Sequence, residues 1–526
     1  MNNNHNWKDQ FFFASIFLFA LSLPFSEFMI SLSAGLLFIS CILTGRFQEK
    51  AAKMKERPAV LFLISVFLVY LLGTLFTNDQ KLALYELQKT AFILVVPLCL
   101  AVGPSINYSK FRKILIAYLL ALNLASAIAI FRLIFRDQFG IQEIWQILFV
   151  SHISFSLQLL LGIAIILNEL HNKWQVISGK IKLALLADIL FLAIFLFILK
   201  ALTGLVTFAV LLVIHLFFVA WKIKTRKIRT TSLILLPVLI LSGFFYLGTC
   251  VYRYYDTEKI DFATLPERTP NGNLYHHDLN NKQVENGHYI GLYFCPEELE
   301  KSWEQRSQTG YNQIGPTGFP ISATLVRYLT SKGLPKDSAG VAKLSPEDIQ
   351  HIEQGIANYI YTQRFLSLYP RIYQTIWELD TYFKTGDPNL KSLAQRIEFV
   401  KAAITVIREH PLFGVGTGNW KQKFVEAYQK NQSKLDPQHY GSSHNQYLNY
   451  FVKFGILGFL WIMFAWIYPL FLANKQRFYP AVMLLFIIGI ANFSDSNLEA
   501  HMGISFFIFF YSLFLFSETQ ETQPIP

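Results

Sequence analysis

The sequence predicts an all-α polytopic membrane protein with about twelve transmembrane helices and a large, mainly helical outer loop between helices nine and ten. Three observations lead there. Of 526 residues, 53% are hydrophobic and only 15% are charged, with 49 Phe, which is far from the balance of a soluble domain. Apolar runs recur at lengths suited to crossing roughly 30 Å of hydrocarbon. A long polar stretch, 251–445, interrupts them before three further runs begin.

The runs lie near 11–25, 28–44, 59–76, 87–103, 112–135, 148–168, 183–200, 202–221 and 231–250, then near 446–471, 478–494 and 500–516. They divide the chain into an N-terminal membrane region (1–250), a loop domain (251–445), a C-terminal membrane region (446–516) and a tail (517–526). Orientation follows from charge, because cytoplasmic loops carry the Lys and Arg excess. Arg46, Lys50, Lys53, Lys55 and Arg57 follow the second run, Lys110, Arg112 and Lys113 the fourth, and Lys173, Lys180 and Lys182 the sixth. A basic cluster from Lys222 to Arg229 follows the eighth, and Lys475 and Arg477 the tenth. The alternate connections are poor in basic residues. Both termini are therefore expected on the cytoplasmic side, with 251–445 outside. The first run lacks a small-residue cleavage site and leads into another span, so it reads as a retained anchor.

The formal charge of +11 sits largely in those short loops, where orientation and anionic headgroups explain it. Membrane lipids, and no nucleic acid, are the partners this implies. Cys41, Cys99, Cys250 and Cys295 are scattered and match neither a zinc site nor a disulfide framework. No metal site is expected.

Within the outer loop, Ser345-Pro346-Glu347-Asp348 combines an N-cap, Pro at the first helical position and acids in the first turn, predicting a helix over about 346–366 that ends before Pro370. Thr324–Lys332 reads as a short helix stopped by Gly333, and Asn271-Gly272 and Asn286-Gly287 as turns. A further helix is predicted over 390–409, with Leu393, Ile397, Val400, Ile404 and Ile407 as its apolar stripe. Arg396 lies at the edge of that stripe, either reaching a cleft or the membrane plane, or snorkelling over a neighbouring helix.

His410-Pro411-Leu412-Phe413-Gly414-Val415-Gly416-Thr417-Gly418-Asn419-Trp420 then breaks regular structure. A G-x-G-x-G run can present amides to phosphate, but this one follows no strand of a βαβ unit. A structural turn is the preferred reading. At Gly441-Ser442-Ser443-His444-Asn445-Gln446-Tyr447-Leu448 the polar segment runs back into a hydrophobic span and places a titratable His at the membrane surface.

Taken together, Arg396, the His410–Trp420 turn, and His444-Asn445-Gln446-Tyr447-Leu448 followed by Gly455-Ile456-Leu457-Gly458 resemble the signature of the O-antigen ligase and polymerase family. These are bacterial inner-membrane glycosyltransferases with a large periplasmic loop. The resemblance is specific over about 390–460 and architectural elsewhere, although Asn286-Gly287-His288-Tyr289 and Leu325–Asp337 are also similar to the loop of Bacteroidetes relatives. It implies transfer of a glycan from an undecaprenyl diphosphate carrier to an acceptor hydroxyl, with lipid A-core ligation expected first and polymerisation as the alternative. It implies no nucleotide-sugar donor, no cofactor and, for the ligases, no required metal. The inner membrane is the implied location, with the large loop periplasmic.

By the same resemblance, His444 is the essential histidine and Arg396 the loop arginine, while Asn445, Gly414, Gly416 and Gly418 shape the motif. Those residue types suit the chemistry. A neutral His, with a reference pKa of about 6.5, can take the proton of an attacking sugar hydroxyl. Arg matches the oxygens of a departing diphosphate. The plainer alternative for His444 is a cap-like residue tying the loop to the helix. The family also carries an arginine in the short outer connection after the seventh span, but here Leu202 occupies that position and Lys200 lies two residues earlier. Lys200 reads either as the second cation or as a headgroup anchor, and it cannot reproduce a bidentate Arg.

His152, Glu27, Asp495 and Glu499 rank lower, as residues meeting interfacial water. Trp303, Trp377 and Trp420 are the aromatic candidates for stacking on sugars. Two readings from other classes are a lipid-linked glycan transporter and a non-catalytic glycan-binding assembly protein. The transporter reading calls for discontinuous helices, an internal repeat and midplane charge, none of which is evident from the sequence.

Overall fold

The structure, a computed structural model, describes residues 3–141, 144–222, 225–362 and 368–519. It is nearly all α-helix. In chain order the helices begin with α1 (Asn3–Ser22), α2 (Glu27–Leu43), α3 (Phe47–Glu56), α4 (Ala59–Thr74), α5 (Gln80–Val102), α6 (Tyr108–Ile134), α7 (His152–Lys173), α8 (Gly179–Leu199) and α9 (Leu202–Lys222). After α10 (Arg226–Tyr255) comes a short hairpin, β1 (Val284–Glu285) and β2 (His288–Tyr289), then α11 (Pro296–Glu304), α12 (Ile321–Ser331), α13 (Ser338–Ala342), α14 (Pro346–Glu353) and α15 (Tyr369–Thr385). The series closes with α16 (Ser392–Glu409), α17 (Trp420–Lys430), α18 (Gln446–Leu472), α19 (Tyr479–Ala491) and α20 (His501–Phe516).

Six of these are long and apolar enough to cross a membrane: α5, α6, α7, α8, α10 and α18. A seventh is counted if α2 and α3, bent by 111° at their junction, form one broken span. Other expected spans fall on shorter apolar helices, among them α4, α19 and α20. The basic stretch after the second run, expected as a loop, folds as α3. The four cysteines are buried free thiols.

The chain forms two compact units, residues 1–219 with 395–526, and residues 220–394. The first is organised around α20. Its sequence, His501-Met502-Gly503-Ile504-Ser505-Phe506-Phe507-Ile508-Phe509-Phe510 and onward, is apolar on every side, and such a helix belongs inside a bundle. Every residue from Met502 to Phe516 is buried, with α2, α5, α7 and α19 packed around it. Phe19 stacks on Phe509 at 4.5 Å between ring centres, and the Tyr511 hydroxyl donates to the Trp466 carbonyl at 2.6 Å.

Against α4 lies α18, which is broken at Gly455 (φ 62°, ψ −169°). A break strands backbone groups that have no water to turn to inside an apolar bundle. The 411–418 segment supplies their partners. Val415 N–H donates to the Val452 carbonyl and Gly416 N–H to the Lys453 carbonyl, both at 2.9 Å, while Ile456 N–H donates to the Pro411 carbonyl at 2.9 Å. A discontinuous helix is thus present, contrary to the sequence expectation.

The second unit holds its own core of Trp303, Leu325, Tyr328, Leu329 and Ile352. The expected helix over 346–366 ends early, at Glu353, because the chain turns there with Ile356 N–H bonded to the His351 carbonyl at 2.9 Å. A short 3-10 turn follows at Tyr359–Thr362, and residues 363–366 of that expectation lie outside the described residues. Pro370 opens α15 within its first turn, a helix the sequence reading left unassigned. Asn286 (φ 50°) and Gly287 (φ 87°) make the tight turn between β1 and β2, as their type predicts.

A Cβ at residue 455 would stand 2.3 Å from the Leu412 carbonyl atoms and force an L-residue into a left-handed backbone. Gly455→Ala is expected to cost about 1–3 kcal/mol from the backbone alone, with more from the overlap. The check is a lower melting temperature of the purified protein in size-exclusion thermal-stability assays.

Candidate active site

Two polar segments meet in the first unit: 441–449, which leads into α18, and 492–500, which joins α19 to α20. Their backbones and amide side chains are stitched together. Gln446 N–H donates to the Asn492 carbonyl at 2.9 Å, and Gln446 Oε1 accepts from Leu498 N–H at 2.9 Å. Asn445 caps α18 by accepting from Leu448 N–H at 3.1 Å, and its Nδ2 donates to the Phe493 carbonyl at 3.0 Å. Asn449 Nδ2 reaches Ser496 Oγ at 2.8 Å and Glu499 Oε2 at 3.1 Å.

His444 is held at this seam in a left-handed conformation, φ 48°, an uncommon setting for a residue with a Cβ and one that clusters at functional sites. It is not the cap, since Asn445 has that role. Its ring stacks on Phe399 of α16, 5.2 Å between centres and 27° between planes. Its Nδ1 lies 3.6 Å from Asp495 Oδ1, and its side chain is 46% exposed. With Asp495 behind Nδ1, the tautomer with the proton on Nδ1 is favoured and Nε2 remains the acceptor.

Arg396 lies on α16 one turn before Phe399. Its Nη1 donates to the Ser494 carbonyl at 3.0 Å. Arg396 and His444 therefore converge on adjacent residues, Ser494 and Asp495. Burial opposes ionisation of Asp495, but contact with His444, the Ser496 amide and the nearby charge of Arg396 outweigh it and hold the carboxyl below its ordinary value.

Lys200 ends α8 in a left-handed conformation, φ 52°. Three residues on, Thr203 Oγ1 lies 3.0 Å from Ser494 Oγ, so the connection that carries Lys200 abuts the same short segment. Gly414 and Gly416 serve the α18 break, each against the Lys453 backbone, whereas Gly418 packs on Thr77 and Asp79 between α4 and α5. A Cβ at Gly414 would lie 2.4 Å from the Lys453 backbone. The amides of Val415, Gly416, Thr417 and Gly418 all bond to protein oxygens, consistent with a structural turn.

Behind the seam lies a buried charge cluster that the sequence reading did not assemble. Lys453, 1% exposed, places Nζ 3.1 Å from Glu86 and 2.8 Å from Glu499, and Lys89 pairs with Glu86 at 2.8 Å. Trp420 closes one side, its ring 5.1 Å from Lys453 Nζ. Trp303 is fully buried in the second unit, its indole N–H on the Thr309 carbonyl at 2.8 Å, and so has no face for a sugar. The predicted stripe of α16 is also corrected: Phe399, Ala402, Ala403 and Val406 are buried, whereas Ile404 is 38% exposed.

A mainly helical membrane protein that holds an imidazole, a carboxylate and a guanidinium at one seam has the groups that acid–base transfer on an anionic substrate requires. Residues 355–463 match the O-Antigen ligase family, and this match supports an O-antigen ligase-like reading of that stretch. The matched stretch includes Arg396, the glycine turn, His444 and the α18 break, and ends before Asp495. An uncharacterized protein of Haemophilus influenzae (strain ATCC 51907 / DSM 11121 / KW20 / Rd) is 24% identical over 204 residues, 37% of this chain and 49% of the relative. The chain thus spans about half the length of that curated relative.

Lys453→Met leaves two buried carboxylates short of a counter-ion and is expected to destabilise the fold by about 3–5 kcal/mol, read as a fall in melting temperature. Asp495 has a folded pKa below its unfolded one. The stability it contributes is fully present above about pH 4 and is lost as pH falls through the lower folded value. In Asp495→Asn, the fall of melting temperature with acid should be shallower over that window.

Proposed function

We propose that the protein is a glycosyltransferase that moves a glycan from undecaprenyl diphosphate to an acceptor hydroxyl. Ligation of O-antigen to lipid A-core is the leading assignment. The observation that carries the reading is the placement of His444, its Nδ1 against Asp495 and its ring half exposed, beside the Arg396 anchor on Ser494.

In this reaction the acceptor oxygen attacks the anomeric carbon. His444 Nε2 takes the hydroxyl proton, and Asp495 orients the ring and stabilises the imidazolium that forms. The bond between the anomeric carbon and the diphosphate oxygen breaks, and both its electrons leave with the lipid diphosphate. Arg396 lowers the barrier by binding that group more strongly as its charge develops, with Lys200 as the second cation. The glycine turn acts indirectly, by fixing α18 and thereby the loop that carries His444.

We infer that the chain lies in the bacterial inner membrane with about twelve spans. Its termini are cytoplasmic and the 251–445 segment is periplasmic. The basic connections support this orientation, and the matched family supports the lipid-linked substrate. Polymerisation of repeat units uses the same chemistry, and the acceptor alone separates the two activities.

Complementation of a surface-polysaccharide defect tests the reading, with membrane abundance measured for each variant. His444→Ala is expected to lower transfer by about 10²–10⁴-fold and Arg396→Ala by about 10²–10³-fold. Normal transfer by well-expressed His444→Ala overturns the base assignment. Accumulated lipid-linked polymer identifies a ligase, and accumulated single lipid-linked repeats identify a polymerase.

A further inference from the structure

The second unit contains a cavity of about 300 Å³ that the transfer chemistry does not use. Its walls come from the segment after α10, from β2 and the turn that follows it, and from the loop between α12 and α13. Tyr275, Tyr289 and Tyr293 line it together with Glu258, His288 and Lys336.

The polar groups are unequally engaged. Glu258 is committed: Oε2 lies 2.6 Å from His288 Nδ1, and Oε1 accepts from Tyr289 N–H at 3.1 Å. Lys336 is 2% exposed, yet among the described residues its ammonium bonds only the Tyr289 carbonyl, at 3.2 Å. An ammonium has three N–H donors, so two remain to meet a ligand. Burial, opposed only by the charge of Glu258, lowers its pKa to about 8, which marks a site short of acceptors.

The aromatic wall is held under strain. Tyr293 adopts φ 54°, a region where a bulky L-residue is an outlier. Its N–H donates to His277 Nδ1 at 3.1 Å, and its carbonyl accepts from Lys336 N–H at 2.8 Å. Tyr275 packs edge-on to it at 6.0 Å. The fold thus fixes a tyrosine ring beside a donor-rich buried cation.

Aromatic faces give apolar contact to the C–H surface of a sugar ring, and a cation with spare donors binds sugar oxygens. We propose that this cavity binds one pyranose unit of a glycan, the ring against the tyrosines and an acceptor oxygen on Lys336 Nζ. A carboxylate or acetamido oxygen is the strongest acceptor class. This rests on the reading of the chain as a glycan-handling protein, and it places a sugar site in the second unit, distinct from the seam at His444.

The test titrates the purified full chain in detergent with glucuronate, N-acetylglucosamine and glucose, by saturation-transfer NMR and intrinsic fluorescence. Saturable binding is expected at a Kd of about 1 mM, tightest for glucuronate or N-acetylglucosamine. Lys336→Met and Tyr293→Gly should each weaken it by about tenfold or more, and His444→Ala should leave it unchanged. Tyr293→Gly removes the ring while relieving the backbone, so it reports on binding even where Lys336→Met fails to fold. No saturable binding of any of the three sugars, or an unchanged Kd in a folded variant of either residue, overturns the proposal. Binding is read without transfer, so its failure leaves the His444 chemistry untouched, and a failure of transfer leaves the sugar site standing.

Discussion

The break in α18 sets the terms for the rest of the first unit. A helix interrupted in an apolar bundle must find partners for the amides and carbonyls it releases, or forfeit several kcal/mol for each. Here the 411–418 segment meets that demand with its own backbone, and Thr417 N–H carries the connection onward to the Gly73 carbonyl at the end of α4 at 3.1 Å. The glycines are therefore answers to close backbone approach. Because the segment begins where α16 ends, the same bonds fix α16, and with it Arg396 and Phe399, relative to the helix that follows His444.

Charge reinforces what the backbone begins. Lys453 lies on α18 just before the break and pairs with Glu86 from α5 and Glu499 from the connection opposite His444. Glu499 also accepts from Asn449, which fixes the start of α18. Buried ion pairs are weak sources of net stability but strong sources of unique geometry when every member is satisfied. In this arrangement four charged groups with balanced signs specify how α5, α18 and the 492–500 connection register against each other. The imidazole above them inherits that register.

The helices were legible in the sequence because long apolar runs leave few alternatives in lipid. Their bounds were close as well: α20, expected over 500–516, is His501–Phe516, and α19, expected over 478–494, is Tyr479–Ala491, its end drawn back by the turn into the 492–500 connection. The inward face of α16 was misjudged because the stripe was chosen by hydrophobicity, whereas packing selected Ala402 and Ala403, whose size permits close approach. His444 and Arg396 were legible through their motif. Asp495 was visible only as a polar residue between two apolar runs, since its value depends on a partner across the fold. The Glu86–Lys453–Glu499 cluster draws on three distant segments, and nothing local announces it.

The central position of α20 carries a consequence for biogenesis. Each helix packed around it precedes it in the chain, so α2, α5, α7 and α19 leave the ribosome before their common neighbour exists. Until α20 inserts, the bundle has an unfilled centre, and the 492–500 connection has only one of its two anchors. Asp495 and Glu499 lie in that connection, so its second anchor arrives with α20. Synthesis thus separates insertion of the surrounding helices from the closing of the bundle's centre, which waits for the last helix of the set.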